Sequence, residues 1–159
     1  MNDISTESVK ITGLADLEKT LNDFPVKLEK KILVGGVRAG ANVFRTEARL
    51  RALVAEKALI KKFSGQKVIV PPGFMRKKIA SWQKRRTQYA VTFFVGIAGY
   101  KDRFTKLFPF WWRFIEFGTS KMAAKPFLRP AYEAKKMEAI EAMKEYLAQR
   151  IEKEVLKGS

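Results

Sequence analysis

Ile79-Ala80-Ser81-Trp82-Gln83-Lys84-Arg85-Arg86-Thr87-Gln88-Tyr89-Ala90-Val91-Thr92-Phe93-Phe94-Val95-Gly96-Ile97 is the stretch that decides the fold. In its second half Tyr89, Val91, Phe93 and Val95 alternate with Ala90, Thr92, Phe94 and Gly96, the period of a strand, and the apolar content predicts a largely buried one. The first half, residues 79–86, reads as its antiparallel partner, with Thr87-Gln88 as a tight turn. Such a pair forms the centre of a small sheet.

Upstream, residues 26 to about 57 contain no proline and place Leu28, Ile32, Val37, Ala41, Phe44 and Ala48 near helical spacing, which predicts one long helix buried along one side. Gly35, Gly36 and Gly40 fall inside it, each costing about 1 kcal/mol against alanine, so close approach of another backbone is expected there. The alternative, a phosphate-cradling loop, lacks the dinucleotide spacing and a following Lys-Ser or Lys-Thr. Residues 131 to about 156 form a second amphipathic helix with an apolar stripe of Ile140, Met143, Leu147, Ile151 and Val155. The expected fold class is therefore α/β in the α+β sense: a small, mainly antiparallel sheet packed with a long helix in the N-terminal half and a C-terminal helix. Residues 1–8 read as a flexible N-terminus and residues 9–157 as a single domain. Near its start, Val9-Lys10-Ile11 could add an edge strand, and Leu14, Leu17, Leu21 and Phe24 mark a short helix.

The chain has 159 residues, no cysteine and no histidine, and its 32 Lys and Arg against 16 Asp and Glu leave a formal charge of +16. These absences remove thiol chemistry, disulfides and the commonest general base and metal ligand. Of the acids near the aromatic segment, Glu116 is expected to pair with Arg113, Glu133 to sit in the first turn of the last helix, and Asp102 to lie in a turn. No pairing of carboxylates is indicated, so no enzyme activity, catalytic residue, metal or cofactor is expected. Residues 1–10 lack a signal-peptide pattern and no apolar run approaches the ~20 residues of a membrane span, so a cytosolic product without membrane contact is expected.

The positive charge is concentrated between Lys57 and Lys101, where no Asp or Glu occurs. A basic loop is expected at 58–72, either extended or as a short hairpin around Val68-Ile69-Val70, followed by one helical turn at 73–79. Lys61, Lys62, Lys67, Arg76, Lys77, Lys78, Lys84, Arg85 and Arg86 are the candidates for contact with DNA or an acidic partner. With Trp82, Tyr89, Phe93 and Phe94 nearby, a basic nucleic-acid-binding protein is the alternative function, although core packing is the commoner use of aromatics in a strand.

Residues 110–117 read as a two-turn helix, apolar almost all round, introduced by Pro109 and ended by Gly118 in the left-handed conformation. Residues 125–129 read as a stiff extended strap between prolines, with Pro130 opening the last helix. An over-apolar helix joined to a rigid strap is the material of an assembly interface. Trp111, Trp112, Phe114, Glu116, Phe117, Gly118, Pro126, Phe127, Leu128, Arg129 and Pro130 are the interface candidates.

Three segments together carry a resemblance: Val9-Lys10-Ile11-Thr12-Gly13-Leu14, then Gly73-Phe74-Met75-Arg76-Lys77-Lys78-Ile79, then the Glu116-Phe117-Gly118-Thr119 turn joined by a short basic spacer to Pro126-Phe127-Leu128-Arg129-Pro130-Ala131. In order and spacing the chain resembles the tail-completion or head-tail joining family of long-tailed bacteriophages, some members of which carry the name minor tail protein Z. The resemblance implies a structural virion protein of the phage neck. It would complete or cap the head-proximal end of the tail and join it to the head connector, with a tail-terminator role as a close alternative. It also implies a homo-oligomeric ring, six-fold by family analogy. Its partners would be a tail tube or tail-terminator protein, a head connector or stopper protein, the tape-measure protein, and DNA in non-specific contact. Its implied location is the virion tail and neck, after assembly in the host cytoplasm.

Overall fold

The structure, a computed structural model, describes residues 26–63, 66–84, 90–98 and 109–158. The expected edge strand, the short helix before Pro25 and the Thr87-Gln88 turn lie outside the described residues.

Helix α1 (Val26–Arg51) is the predicted long helix. Strands β1 (Leu59–Phe63) and β2 (Gln66–Val70), helix α2 (Phe74–Lys78), strands β3 (Ile79–Gln83) and β4 (Phe93–Ile97), helix α3 (Trp112–Phe117) and helix α4 (Leu128–Gly158) follow. α1 ends earlier than residue 57, with Ala52 N–H still donating to the Ala48 carbonyl at 3.0 Å. Leu53 and Val54 beyond it are 47% and 46% exposed, so further turns would gain no packing to offset their ordering entropy.

α1 and α4 run antiparallel, because contacts advance along one helix as they retreat along the other: Ile32 clusters with Leu147 and Ile151, and Phe44 meets the Tyr132 ring at 5.2 Å. The α1 glycines lie in this seam. A Cβ on Gly36 would come within 2.9 Å of Leu147, and one on Gly40 within 3.1 Å of the Ala139 carbonyl oxygen, while Gly35 faces the Tyr146 ring. Close approach of another helix is thus the reason for the glycines. It also corrects the expected α4 stripe. Leu147 and Ile151 are buried, but Ile140 is 43% and Val155 38% exposed, and Ala139 is buried where the backbones are nearest.

Among the described residues the antiparallel sheet consists of two separate ladders, β1–β2 and β3–β4. In the second, Ile79 pairs with Ile97, Ser81 with Val95 and Trp82 with Phe94. Its inner face meets α1 through Ser81, whose hydroxyl donates to Asn42 Oδ1 at 3.1 Å, and through Phe93, which lies 5.8 Å under the Arg38 guanidinium. Arg49 fastens the same junction by donating Nε–H and Nη2–H to the Ile79 carbonyl at 2.9 and 2.7 Å. The expectation of a largely buried strand is corrected here, since among the described residues helix covers one side of the ladder and Phe94 on the other is 43% exposed. The main core joins Ala48, Ala52, Met75, Ile79, Ile97, Phe127 and Ala131, so it draws on α1, the sheet and the start of α4 together.

The predicted basic loop is a hairpin. β1 and β2 pair from Leu59↔Val70 to Phe63↔Gln66, with Ser64-Gly65 outside the described residues. Val70 is buried, whereas the cross-strand pair Ile60 and Ile69 is 69% and 66% exposed.

Candidate assembly surface

α3 grows out of a buried proline. The fully buried Pro109 accepts the Trp112 N–H at 3.1 Å, and Trp111 accepts from Phe114 and Ile115 at 3.0 and 3.3 Å, so the helix begins two residues later than expected. Trp111, Trp112 and Ile115 pack against the main core. The remaining rings turn outward: Phe110 is 44%, Phe114 46% and Phe117 75% exposed. Phe110 and Phe114 meet edge to face, with centroids 6.3 Å apart at 88°. Residues 110–117 therefore divide lengthwise, with the tryptophans inward and the phenylalanines outward.

Glu116 is the buried charge of the described residues. Its expected pairing with Arg113 is corrected, since Arg113 lies 5.7 Å over the Trp112 ring. The carboxylate instead accepts three backbone N–H groups at the start of α4, from Phe127 at 2.8 Å and from Leu128 and Arg129 at 3.1 Å each. A helix start leaves four N–H donors without helical partners. Here the fourth position is Pro130, which has no N–H. One carboxylate and one proline thus account for the whole first turn. A negative group at this end is also favoured by the helix dipole.

The backbone between the carboxylate and its donors is folded to make that reach possible. Gly118 has φ 74° and ψ −177°, so its φ is positive as expected but its ψ is extended rather than left-handed helical. A Cβ there would stand 2.9 Å from the Ala124 nitrogen and 3.0 Å from the Met122 oxygen. Thr119 and Met122 close a turn through reciprocal backbone bonds of 2.9 and 3.2 Å, and Lys125 N–H returns to the Ile115 carbonyl at 2.8 Å.

The strap is shorter than expected. Leu128 and Arg129 are helical, so Pro130 is the third residue of α4 rather than its opening, and of the expected strap, residues 125–127 precede the helix. The bias of a residue preceding proline toward extended backbone is overcome because the Glu116 carboxylate fixes the Arg129 N–H. Glu133 is corrected likewise: it lies past the first turn and pairs with Arg129 at 3.1 Å in an exposed i,i+4 contact.

The interface candidates therefore separate. Phe114, Phe117, Pro126 and Arg129 face outward, while Phe127 is fully buried, Glu116 is a cap, and Trp111, Trp112, Gly118, Leu128 and Pro130 are half-buried supports. Between α3 and the hairpin lies an apolar groove of about 340 Å³ lined by Leu53, Val54, Leu59, Val70, Trp111 and Ile115.

The basic candidates are dispersed. Arg76 and Lys77 are exposed and, with Arg49, line an adjoining cleft of about 430 Å³ that shares Val54 with the groove. Lys78 lies 5.6 Å over the Phe74 ring and Lys84 5.8 Å over Phe94, while Lys67 is exposed on β2. Arg85, Arg86 and the side chains of Lys61 and Lys62 lie outside the described residues. Sequence reasoning missed Arg49, for which the one signal was a cation near the end of a long amphipathic helix. Among the described residues, no three carboxylates converge on a metal-sized site and no helix is long and apolar enough to cross a membrane. Compared with known proteins, the chain matches no family model, no curated protein and no solved structure.

Proposed function

We infer that this chain is a structural subunit of the neck of a long-tailed phage. In this reading it caps the head-proximal end of the tail and joins it to the head connector, in the tail-completion or the allied tail-terminator role. The observation that carries the reading is the Glu116 cap. Glu116, Gly118, Phe127 and Pro130 lie in the segment that carries the resemblance to the tail-completion family, and each has a backbone or packing task there. That segment is thus accounted for as a scaffold. What it displays is apolar: Phe114 and Phe117 are 46% and 75% exposed on a rigid two-turn support. Exposed aromatic area on an ordered element is the material of a subunit contact, because little conformational entropy is lost when it is covered. Copies of the chain would form a ring through this surface, meeting tail tube, tail-terminator or tape-measure protein on one side and connector or stopper protein on the other.

Two measurements test it. Negative-stain microscopy of the purified chain should show rings, and a Phe114→Ser/Phe117→Ser double variant should give monomers while keeping its thermal midpoint. Virions labelled with an antibody to this chain should carry label at the head-tail junction. Virions without label, or a double variant that still forms normal rings, would overturn the reading.

A further inference from the structure

The outer face of the β3–β4 ladder, turned away from α1, carries Trp82 and Phe94 as a directly opposed cross-strand pair. They are 41% and 43% exposed, with ring centroids 6.2 Å apart and planes tilted by 36°. Gly96 lies diagonally across from Trp82, and a Cβ there would come within 3.3 Å of indole Cη2, so the glycine lets the indole lean over β4. Lys84 Nζ stands 5.8 Å over the Phe94 ring. An exposed aromatic pair adds something to hairpin stability, but that explanation leaves the adjoining Lys84 unused. Eleven Lys and Arg and no Asp or Glu occur from residue 57 to 101. Among the described residues, the ion pairs engage neither Lys84 nor Arg76 nor Lys77.

Exposed rings beside Lys84, in a stretch of sequence free of carboxylates, match a ligand that alternates flat bases with phosphates. We propose that the outer face of β3–β4 binds single-stranded nucleic acid, with bases stacked on Trp82 and Phe94 and the adjoining phosphate neutralised by Lys84. A single strand offers its base faces regardless of sequence, whereas a duplex keeps them stacked inside. Two copies meeting through this face would bring their Lys84 side chains together, against the repulsion of chains charged at +16 each. The polyanion is therefore favoured over a second copy. The proposal does not rest on the neck reading.

Fluorescence anisotropy of the full chain with a labelled oligothymidylate and with a duplex of equal length, over a range of salt, provides the test. The single strand should bind more tightly. Trp82→Ala should weaken its binding by roughly 5- to 100-fold, with Trp82→Phe retaining most of the affinity. Lys84→Gln should reduce the slope of log K against log salt by about 0.7. Circular dichroism checks that each variant folds. Should Trp82→Ala fail to fold, ultraviolet crosslinking of the wild-type chain to the oligothymidylate replaces it, with crosslinks expected in peptides containing Trp82 or Phe94. Equal affinity for the duplex, wild-type binding by folded Trp82→Ala and Phe94→Ala, or crosslinks confined to other peptides would overturn the proposal. A change in self-association alone would also overturn it and mark the face as a contact between copies.

Discussion

Glu116 is asked to do at a distance what a helix usually does with a neighbouring serine or aspartate. Its carboxylate reaches across 11 to 13 residues to the Phe127, Leu128 and Arg129 N–H groups. Such a cap locks α3 to α4 as well as ending the donor deficit of α4. Glu116→Ala should therefore cost about 2–4 kcal/mol in urea unfolding, since it strands several donors, one of them fully buried. Glu116→Gln keeps the shape but loses the charge and one of the two accepting oxygens, and should still cost less, about 1–2 kcal/mol, because one oxygen can go on accepting from Phe127 and Leu128. A Glu116→Ala chain as stable as the wild type would refute the capping role. The same geometry explains why Arg113 is not the partner: an exposed ion pair is worth at most about 1 kcal/mol, less than three oriented backbone donors.

Between elements, the α1–α4 seam is where packing overrules propensity. A Gly→Ala change in an exposed helix stabilises by about 1 kcal/mol, but a Cβ on Gly36 would press on Leu147 at 2.9 Å. Gly36→Ala should accordingly lower stability by about 1–2 kcal/mol net of that gain, and a raised thermal midpoint would show that the seam has slack. The β1–β2 hairpin stands at the other extreme. Among the described residues it pairs with no third strand, and Ile60 and Ile69 on one of its faces are exposed. An isolated two-stranded ladder is marginal in water, so its amides should exchange far faster than those of α1 between Gly36 and Ala48. Equal protection of both would mean that the hairpin is covered by a partner in solution.

For the molecule as a whole, charge and apolar exposure oppose each other. A net charge of +16 repels copies of the chain, while Phe110, Phe114 and Phe117 give them an apolar surface to share. Salt screens the first and leaves the second intact, with the Debye length falling from about 30 Å at 0.01 M to about 8 Å at 0.15 M. Self-assembly measured by light scattering should thus increase as salt is raised. Assembly that falls with salt would assign the contact to ion pairs instead of rings. Binding to single-stranded nucleic acid should respond in the opposite sense, because it releases counterions. The two proposed activities would therefore be separated by ionic strength alone.

The α+β class, both long helices, the antiparallel pairing of residues 79–83 with 93–97 and the glycine seam were all determined by the sequence, because periodicity and glycine placement are local signals that tertiary context reinforced. The sorting of the aromatics was decided by the tertiary structure. Trp82 and Phe94 read as core residues until the helices proved to cover one face of the ladder, and Phe127 read as a displayed strap residue until α4 carried it into the main core. Glu116 shows the same division within one residue. Its place in an apolar helix before a proline-bounded segment was plain in the chain, but its partners are three N–H groups brought within 3.1 Å by the Gly118 turn. A periodic pattern records which face of an element is apolar. Which face is covered depends on the neighbours that arrive.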